Sequence, residues 1–228
     1  FELTINLAAS VTAYTLKAQV GWVGGKKVNI TGAGSATTTI DDCQIGPNSF
    51  APTVLGPPIV LSSVTLADVS SGACLSTTAI GQVLAQTDIV CDSTADAGSY
   101  AHFYAFGAGV ELTVQPATIK GSSGTHLFAD TQSNILENGG GTISGTPAFS
   151  VAFAFADSFA ILESPTVYSG AATGPRFSAT LGAIILGNAP TGDPAGTWFA
   201  GNAAGTIATG GKYIGVTDYY GNVSGLPT

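Results

Sequence analysis

Three related stretches decide the fold of this chain: TIKGSSGTHLFAD at Thr118–Asp130, TISGTPAFSVAFAFAD at Thr142–Asp157 and TVYSGAATGPRFSAT at Thr166–Thr180. Their first residues lie 24 positions apart in both intervals. Each stretch opens with Thr and a β-branched residue, passes through a turn of small residues and returns to alternating apolar residues. A fixed period of this length is typical of solenoids, in which each repeat is one structural unit stacked on the next.

Two further sets of short apolar segments follow the same spacing. One set is HFYAF, HLFAD, VAFAF and RFSAT at 102–106, 126–130, 151–155 and 176–180, and the other is VELTV, NILEN, AILES and AIILG at 110–114, 134–138, 160–164 and 183–187. Each period therefore holds three short strands, which is a coil rather than a hairpin. The sequence predicts an all-β chain whose main body is a right-handed parallel β-helix, with coils about 4.8 Å apart.

Stacking the coils predicts columns of apolar side chains inside the helix. Because one coil cannot bury its own inner face, the stack itself has to form the core. The predicted columns are Phe103, Leu127, Phe153 and Phe177; Leu112, Leu136, Leu162 and Leu186; and Ile119, Ile143 and Val167.

The composition along the chain suggests three parts. Residues 1–66 are predicted to form a small N-terminal β unit followed by a linker rich in proline, a residue that central strands exclude. Residues 67–196 are assigned to the parallel β-helix coils. Residues 197–228 leave the period and are rich in Gly and aromatic residues, which predicts a C-terminal cap over the open end of the last coil.

Low charge excludes several classes of function. Only 9% of the 228 residues are charged, the net charge is −8, and there are six basic residues. A nucleic-acid binder needs a basic stripe, and a membrane-surface protein needs a basic cluster. No apolar run reaches the roughly 20 residues of a membrane span. The sequence therefore predicts no nucleic-acid partner, no membrane insertion and no cofactor.

Part of the chain resembles a known group of viral proteins. The segments GTPAFSVAFAFAD, YSGAATGPRFSATLGAIILGN and GTWFAGNAAGTIATGGKY are similar to the C-terminal coils of bacteriophage tail-fibre and tail-associated β-helix proteins. The resemblance covers roughly residues 100–214, and it departs from the family pattern at Ala200, where those proteins carry proline. The opening segment LTINLAASVTAYTLKAQVGWVGG is more weakly similar to a domain that begins other phage tail and adhesin proteins.

The resemblance implies an extracellular structural protein of the virion. It would act as a fibre or receptor-binding module, would contact other virion proteins and host-surface glycans, and would form a homotrimer. The alternatives are a polysaccharide depolymerase, a capsid decoration or collar protein, and a surface adhesin or ice-binding solenoid from another source. We expect presentation of a binding surface rather than catalysis.

Aromatic residues near the C-terminus are the candidate ligand contacts. Trp198, Tyr213, Tyr219 and Tyr220 could seal the last coil or a subunit contact, and they could instead form an exposed platform for sugars. Arg176, the single arginine, is expected to be structural or interfacial.

Two pairs of polar residues recur at the coil spacing. His102 and His126 are the only histidines and are expected to lie on adjacent coils, either as a metal-binding pair or as a repeated polar corner. Without a third ligand in the neighbouring coils, the sequence predicts no metal site. Glu137 and Glu163 could be a catalytic pair, and the alternative is two solvated outward side chains.

The three cysteines have no metal-binding spacing. Cys74 and Cys91 could form a disulfide that leaves Cys43 unpaired, and the alternative is three buried thiols.

Overall fold

All regular structure among the described residues is β-strand. The computed structural model describes residues 2–18, 27–46, 58–68, 72–78, 81–93, 100–139, 141–164, 168–187 and 199–215. The strands in chain order are β1 (Glu2–Leu7), β2 (Tyr14–Ala18), β3 (Lys27–Gly32), β4 (Thr39–Ile45), β5 (Ile59–Ser62), β6 (Val64–Ala67), β7 (Ala73–Thr77), β8 (Gly81–Ala85), β9 (Ile89–Asp92), β10 (Ala101–Phe106), β11 (Val110–Val114), β12 (Ala117–Ile119), β13 (Ser123–Asp130), β14 (Asn134–Glu137), β15 (Thr142–Ile143), β16 (Phe149–Ala156), β17 (Ile161–Ser164), β18 (Phe177–Ala179), β19 (Ile184–Gly187), β20 (Thr206–Ile207) and β21 (Lys212–Gly215).

The strands form a parallel solenoid with three faces. Face A is a nine-stranded sheet in the order β1-β3-β5-β8-β11-β14-β17-β19-β21. A twelve-stranded sheet bends at β4, whose first half pairs with β6 and whose second half pairs with β7. We call its two parts face B (β4, β6, β9, β12 and β15) and face C (β2, β4, β7, β10, β13, β16, β18 and β20). The chain visits A, B and C in turn, and consecutive coils pair in parallel, as the repeat predicts.

The core is a set of columns that run the length of the solenoid. On face A each inward side chain pairs in register with the next, so one apolar position is repeated on nine strands. That column consists of Leu3, Val28, Ile59, Val83, Leu112, Ile135, Leu162, Ile185 and Tyr213. The β-branched and leucine side chains suit a pleated surface that is buried on one side.

The predicted columns are correct in part and wrong by one residue at three positions. Phe103 pairs with Leu127 and Ile119 pairs with Ile143, as expected. Leu127, however, pairs with Ala154 rather than Phe153, because the register shifts by one residue between Ser123 and Thr125.

On face A the inward position belongs to Ile135 and Ile185 rather than to Leu136 and Leu186, which are half-buried on the outer side. The coils also differ in length: Leu112 and Ile135 are 23 residues apart, whereas Ile135 and Leu162 are 27 apart. Val167 lies outside the described residues.

The first and last described strands belong to the same sheets as the strands between them. The strands of residues 2–66 continue face A and face C without a break, since β1, β3 and β5 lead directly to β8. Likewise β20 and β21 pair with β18 and β19, so residues 199–215 add a further coil to the stack. The proline-rich stretch between β4 and β5 lies outside the described residues.

The corner from face C to face A is a stack of tight turns. In five coils the backbone N–H of the fourth turn residue donates to the carbonyl of the first, as in Ala160 to Asp157. The two central residues have positive φ in each turn that ends β13 or β16, including Phe159 at 61°. Two left-handed central residues make a tight turn that leads the chain from face C onto face A, and the side chains of Gln132 and Phe159 are exposed.

Candidate functional site

Three aromatic rings stack on the outer side of face C. Tyr104, Phe128 and Phe155 occupy paired positions on β10, β13 and β16. Their ring centroids are 4.9 Å apart between Tyr104 and Phe128, and 4.6 Å apart between Phe128 and Phe155, with interplanar angles of 26° and 11°. We call this set the outer aromatic ladder. Its spacing follows from the rise between parallel strands.

Tyr100 lies over the ladder from the segment that precedes β10. Its ring meets Tyr104 edge-on at 5.7 Å and tilts against Phe128 at 5.4 Å. Phe128 is only 2% exposed, whereas Tyr100 is 51% exposed. Tyr100 therefore presents an aromatic face to solvent, and the rings beneath it are held in place by their own stacking.

A column of two carboxylates runs beside the outer aromatic ladder. Ala129 and Ala156 pair on β13 and β16 and point into the core. Asp130 and Asp157 follow them, and because side chains alternate along a strand, they share the outer side with Phe128 and Phe155. Asp130 and Asp157 therefore occupy equivalent positions on adjacent coils.

Hydroxyl groups hold both carboxylates in position. Tyr104 donates to Asp130 Oδ2 at 3.4 Å, and Thr180 donates from Oγ1 to Asp157 Oδ1 at 2.7 Å. Partial burial and then the Asp130 carboxylate raise the pKa of Tyr104 above its ordinary value. Burial, then Asp130 and Asp157, likewise raise the pKa of Tyr100. Both phenols therefore stay protonated and can donate hydrogen bonds at neutral pH.

The residues predicted to contact a ligand lie elsewhere. Trp198, Tyr219 and Tyr220 are outside the described residues. Tyr213 is half-buried, and its ring stacks on the core residue Phe177 with a centroid distance of 4.4 Å and an interplanar angle of 13°. Tyr213 therefore covers the inner surface of the last described coil rather than forming a platform. A ligand-binding role for Trp198, Tyr219 and Tyr220 stays a prediction.

The two histidines lie on adjacent coils inside the core. Their Nδ1 atoms are 2.9 Å apart, and both side chains are almost completely buried. Ser93 Oγ lies 2.9 Å from His102 Nε2 and donates its single hydrogen to the carbonyl of Ser122 at 2.6 Å. His102 must then donate from Nε2 to Ser93, which leaves its Nδ1 free to accept from His126.

Burial keeps this histidine pair neutral. It lowers the pKa of His102 to about 4, and it lowers the pKa of His126 well below the ordinary value, with His102 as the second cause. Phe149 and Phe153 pack against His126 at centroid distances of 6.3 and 4.8 Å. The pair is a buried polar corner. Within the described ranges, no three His, Cys, Asp or Glu side chains gather as metal ligands.

Glu137 and Glu163 do not form a carboxylate pair. Glu163 is exposed on the outside of face A, as expected for a solvated side chain. Glu137 is 1% exposed and occupies an inward position next to Val114, so the expectation that it is solvated is wrong. Ser164 donates to Glu137 Oε2 at 2.8 Å, and this hydrogen bond offsets part of the free-energy cost of burying the carboxyl group.

All three cysteines are buried free thiols. The disulfide considered between Cys74 and Cys91 is absent from the structure, which agrees with the alternative of three buried thiols. Burial raises the pKa of Cys43 to about 12, and it also raises the pKa of Cys74 and that of Cys91.

Arg176 links two neighbouring coils. Its Nη1 donates to the carbonyl of Ala203 at 3.3 Å, and its backbone N–H donates to the same carbonyl at 3.1 Å. This contact gives the arginine a structural role between β18 and the following coil.

A shallow polar groove crosses the outside of face B. Thr118, Thr142 and Ser169 line it in register on three consecutive coils, beside Pro116. Its volume is about 330 Å³. Two of the threonines that open the repeated stretches, Thr118 and Thr142, are therefore neighbours on adjacent coils, and Thr166 lies outside the described residues.

The outer aromatic ladder was missed in the sequence even though a signal was present. Each of its members lies one or two residues from a predicted core position, and the predicted columns name only the core positions. Tyr104, Phe128 and Phe155 recur at intervals of 24 and 27 residues, which is the coil spacing. An aromatic residue repeated on the outward phase of an alternating strand is the signal that identifies such a ladder.

Comparison with known proteins leaves the fold as the only classification. No family model matches the chain, and searches of curated proteins and of solved structures also gave no match. No helix among the described residues has the length and hydropathy of a membrane span. The chain is an all-β parallel solenoid, and the outer side of face C carries an aromatic ladder, an exposed Tyr100 and two partly buried carboxylates.

Proposed function

We propose that this protein is a structural module of a phage tail or another virion appendage, and that face C contacts glycans on the host surface. It would lie outside the cell as a homo-oligomer, with other virion proteins as its structural partners. Parallel β-solenoids are common in tail fibres and tailspikes. The resemblance of residues 100–214 to such proteins agrees with this proposal.

The observation that carries the proposal is the outer aromatic ladder with Tyr100 above it. Sugar rings pack their apolar faces on aromatic side chains, while neighbouring acceptors bind the sugar hydroxyls. Tyr100 offers an exposed ring, and Asp130 and Asp157 offer oxygen acceptors on the same face. The parallel strands fix these groups in a regular array, so little conformational entropy is lost when a ligand binds.

Binding to immobilised glycans tests this proposal. The wild-type protein should bind a subset of bacterial surface saccharides, and Tyr100→Ala should weaken that binding by about tenfold or more. Ser178→Ala is the matched control, because Ser178 lies on the same outer column as Phe155 but contributes no ring. Equal binding by the wild type and Tyr100→Ala, with both proteins folded, would exclude face C as the contact surface.

The position of the protein in a particle is tested separately. Gold-labelled antibodies against the chain should decorate the tail or appendage of intact particles. Decoration of the capsid shell alone would favour a capsid decoration protein instead.

We also propose that the module presents its surface and does not cleave the glycan. Retaining hydrolases place two carboxyl groups about 5 Å apart. Asp130 and Asp157 lie on adjacent coils, so they are the carboxylates to mutate in a test for cleavage. Incubation with a bound polysaccharide should release no reducing ends. Release that is lost in both Asp130→Asn and Asp157→Asn would identify a depolymerase.

A further inference from the structure

We infer that the carboxylates of Asp130 and Asp157, together with Tyr100 and Tyr104, bind an ammonium group, and that the preferred ligand is a saccharide with unacetylated amino sugars. This inference rests on the proposed function of face C and specifies its ligand class. The contact would use charge and aromatic rings together.

Two like charges stack on adjacent coils at this site. Opposed carboxylates on neighbouring strands repel each other, and this repulsion reduces the stability of the sheet. Among the described residues neither Asp130 nor Asp157 has a basic partner. The described ion pair in the chain, between Lys120 and Asp92, lies on face B. A ligand cation placed between the two acids would relieve the repulsion and gain two charge-assisted hydrogen bonds.

The aromatic rings beside the acids favour an organic cation over a metal ion. Ca²⁺ and Mg²⁺ require six or more oxygen ligands or an ordered water shell, whereas the group that lies near both carboxylates here is the aromatic side chain of Tyr100. A ring face attracts an ammonium group through its quadrupole, and the attraction strengthens when the group is partly desolvated. Tyr100 is half-exposed and offers such a face, whereas Tyr104 stacks one face on Phe128 and presents its hydroxyl to Asp130.

An amino sugar fits both parts of the site. Its ring has an apolar face that can pack on Tyr100, and its protonated amine can reach the carboxylates. The net charge of −8 adds a favourable long-range field for a cationic polymer. N-acetylation removes the positive charge and therefore separates the contribution of the amine from that of the sugar ring.

Calorimetric titration at pH 6 and low salt tests the inference with two defined probes, the glucosamine tetramer and the N-acetylglucosamine tetramer. We expect the glucosamine tetramer to bind about tenfold more tightly, and its affinity to fall as salt is raised. Asp130→Asn and Asp157→Asn should each weaken binding of this probe several-fold, because asparagine keeps an acceptor oxygen and loses the charge. Glu163→Gln is the control, since it removes an exposed charge from face A.

The outcomes separate this inference from the proposed function. If both tetramers bind equally and only Tyr100→Ala weakens them, face C is a glycan surface and the ammonium site is wrong. If Glu163→Gln weakens binding as much as Asp130→Asn does, the effect is one of net charge and the site is also wrong. Saturable binding of CaCl2 alone that is lost in Asp130→Asn would replace the ammonium site with a metal site. If neither tetramer binds, this ligand assignment fails, whereas the glycan-array experiment still decides the proposed function.

Discussion

His126 donates a hydrogen bond from Nδ1 to Nδ1 of His102, which lies 24 residues earlier on the adjacent coil, at 2.9 Å. The direction follows from Ser93, whose only hydrogen is given to the Ser122 carbonyl. Burial keeps both imidazoles neutral, with the proton on Nε2 of His102 and on Nδ1 of His126. Protonating either ring would place a charge in the core, and protonating His102 at Nδ1 would also break the bond between the two rings.

The first prediction is a loss of stability in mild acid. The folded-state pKa of His102, about 4, lies below the unfolded value of about 6.5. This stabilisation is thus complete above pH 6.5 and declines as the pH falls towards 4, by about 3 kcal/mol for His102 alone. Urea unfolding from pH 8 to pH 4 measures the decline. The double variant His102→Gln and His126→Gln should show a shallower decline, and an equal slope in both proteins would refute this origin.

A second prediction distinguishes the inner from the outer residue of one strand. Ile135 is 1% exposed in the core column of face A, whereas Leu136 is half-buried on the outer side. Ile135→Ala should cost about 2–5 kcal/mol of unfolding free energy through cavity formation. Leu136→Ala should cost clearly less, because solvent fills the space. Chemical denaturation of both variants compares them, and a larger loss for Leu136→Ala would mean that the register of β14 is wrong.

The third prediction concerns two glycines with positive φ. A Cβ on Gly174 (φ 104°) would lie 2.0 Å from the carbonyl oxygen of Phe149 on the adjacent coil, whereas a Cβ on Gly145 (φ 80°) would contact nothing within 4 Å. Both alanine variants carry backbone strain of about 1–2 kcal/mol. Gly174→Ala should be more destabilising because it also forces two coils apart. Thermal unfolding measures the difference, and similar melting temperatures would contradict it.

A fourth prediction uses the strained turn at Phe159. Its φ is 61° and its side chain is 68% exposed, so its conformation costs energy that a buried contact would normally offset. Phe159→Asn should change stability by no more than about 1 kcal/mol, because asparagine tolerates a left-handed conformation. Phe153→Ala, at a fully buried site, should cost about 3–5 kcal/mol. Comparable losses in the two variants would show that Phe159 packs more tightly than its exposure indicates.

The fifth prediction concerns thiol reactivity. Cys43, Cys74 and Cys91 are buried, and burial raises the pKa of each thiol, so the reactive thiolate is scarce and shielded. A thiol-specific reagent should modify none of them in the native protein and all three after unfolding without reductant. Detection of a single thiol after unfolding would indicate a Cys74–Cys91 bond.

The sequence predicts the coil and the order of the faces, because these depend on spacing alone. It does not predict the inward residue where two apolar residues are adjacent, as at Ile135 and Leu136. Both are compatible with an alternating strand, and only the pairing with Leu112 shows which one points inwards. The shift at β13 and β16 is equally hidden, since one extra residue before Ala152 moves Phe153 out of the column.

The candidate site was harder to predict than the fold. Its members come from three coils, and their proximity depends on the register of β10, β13 and β16. The buried position of Glu137 also depends on register: it takes the place that Val114 occupies one coil earlier. A pattern of residue types along the chain contains neither of these relationships.

The strand pairing between successive coils has a mechanical consequence. From β4 to β15 each coil is joined to the next along three faces, and after β15 the described residues continue face B through the bridge between Thr142 and Ser169. Strands of successive coils lie side by side in the hydrogen-bonding direction, so these bonds run along the solenoid axis. A pulling force along that axis would therefore load the paired strands of all three faces at once, and the coils would resist stretching together rather than one strand at a time.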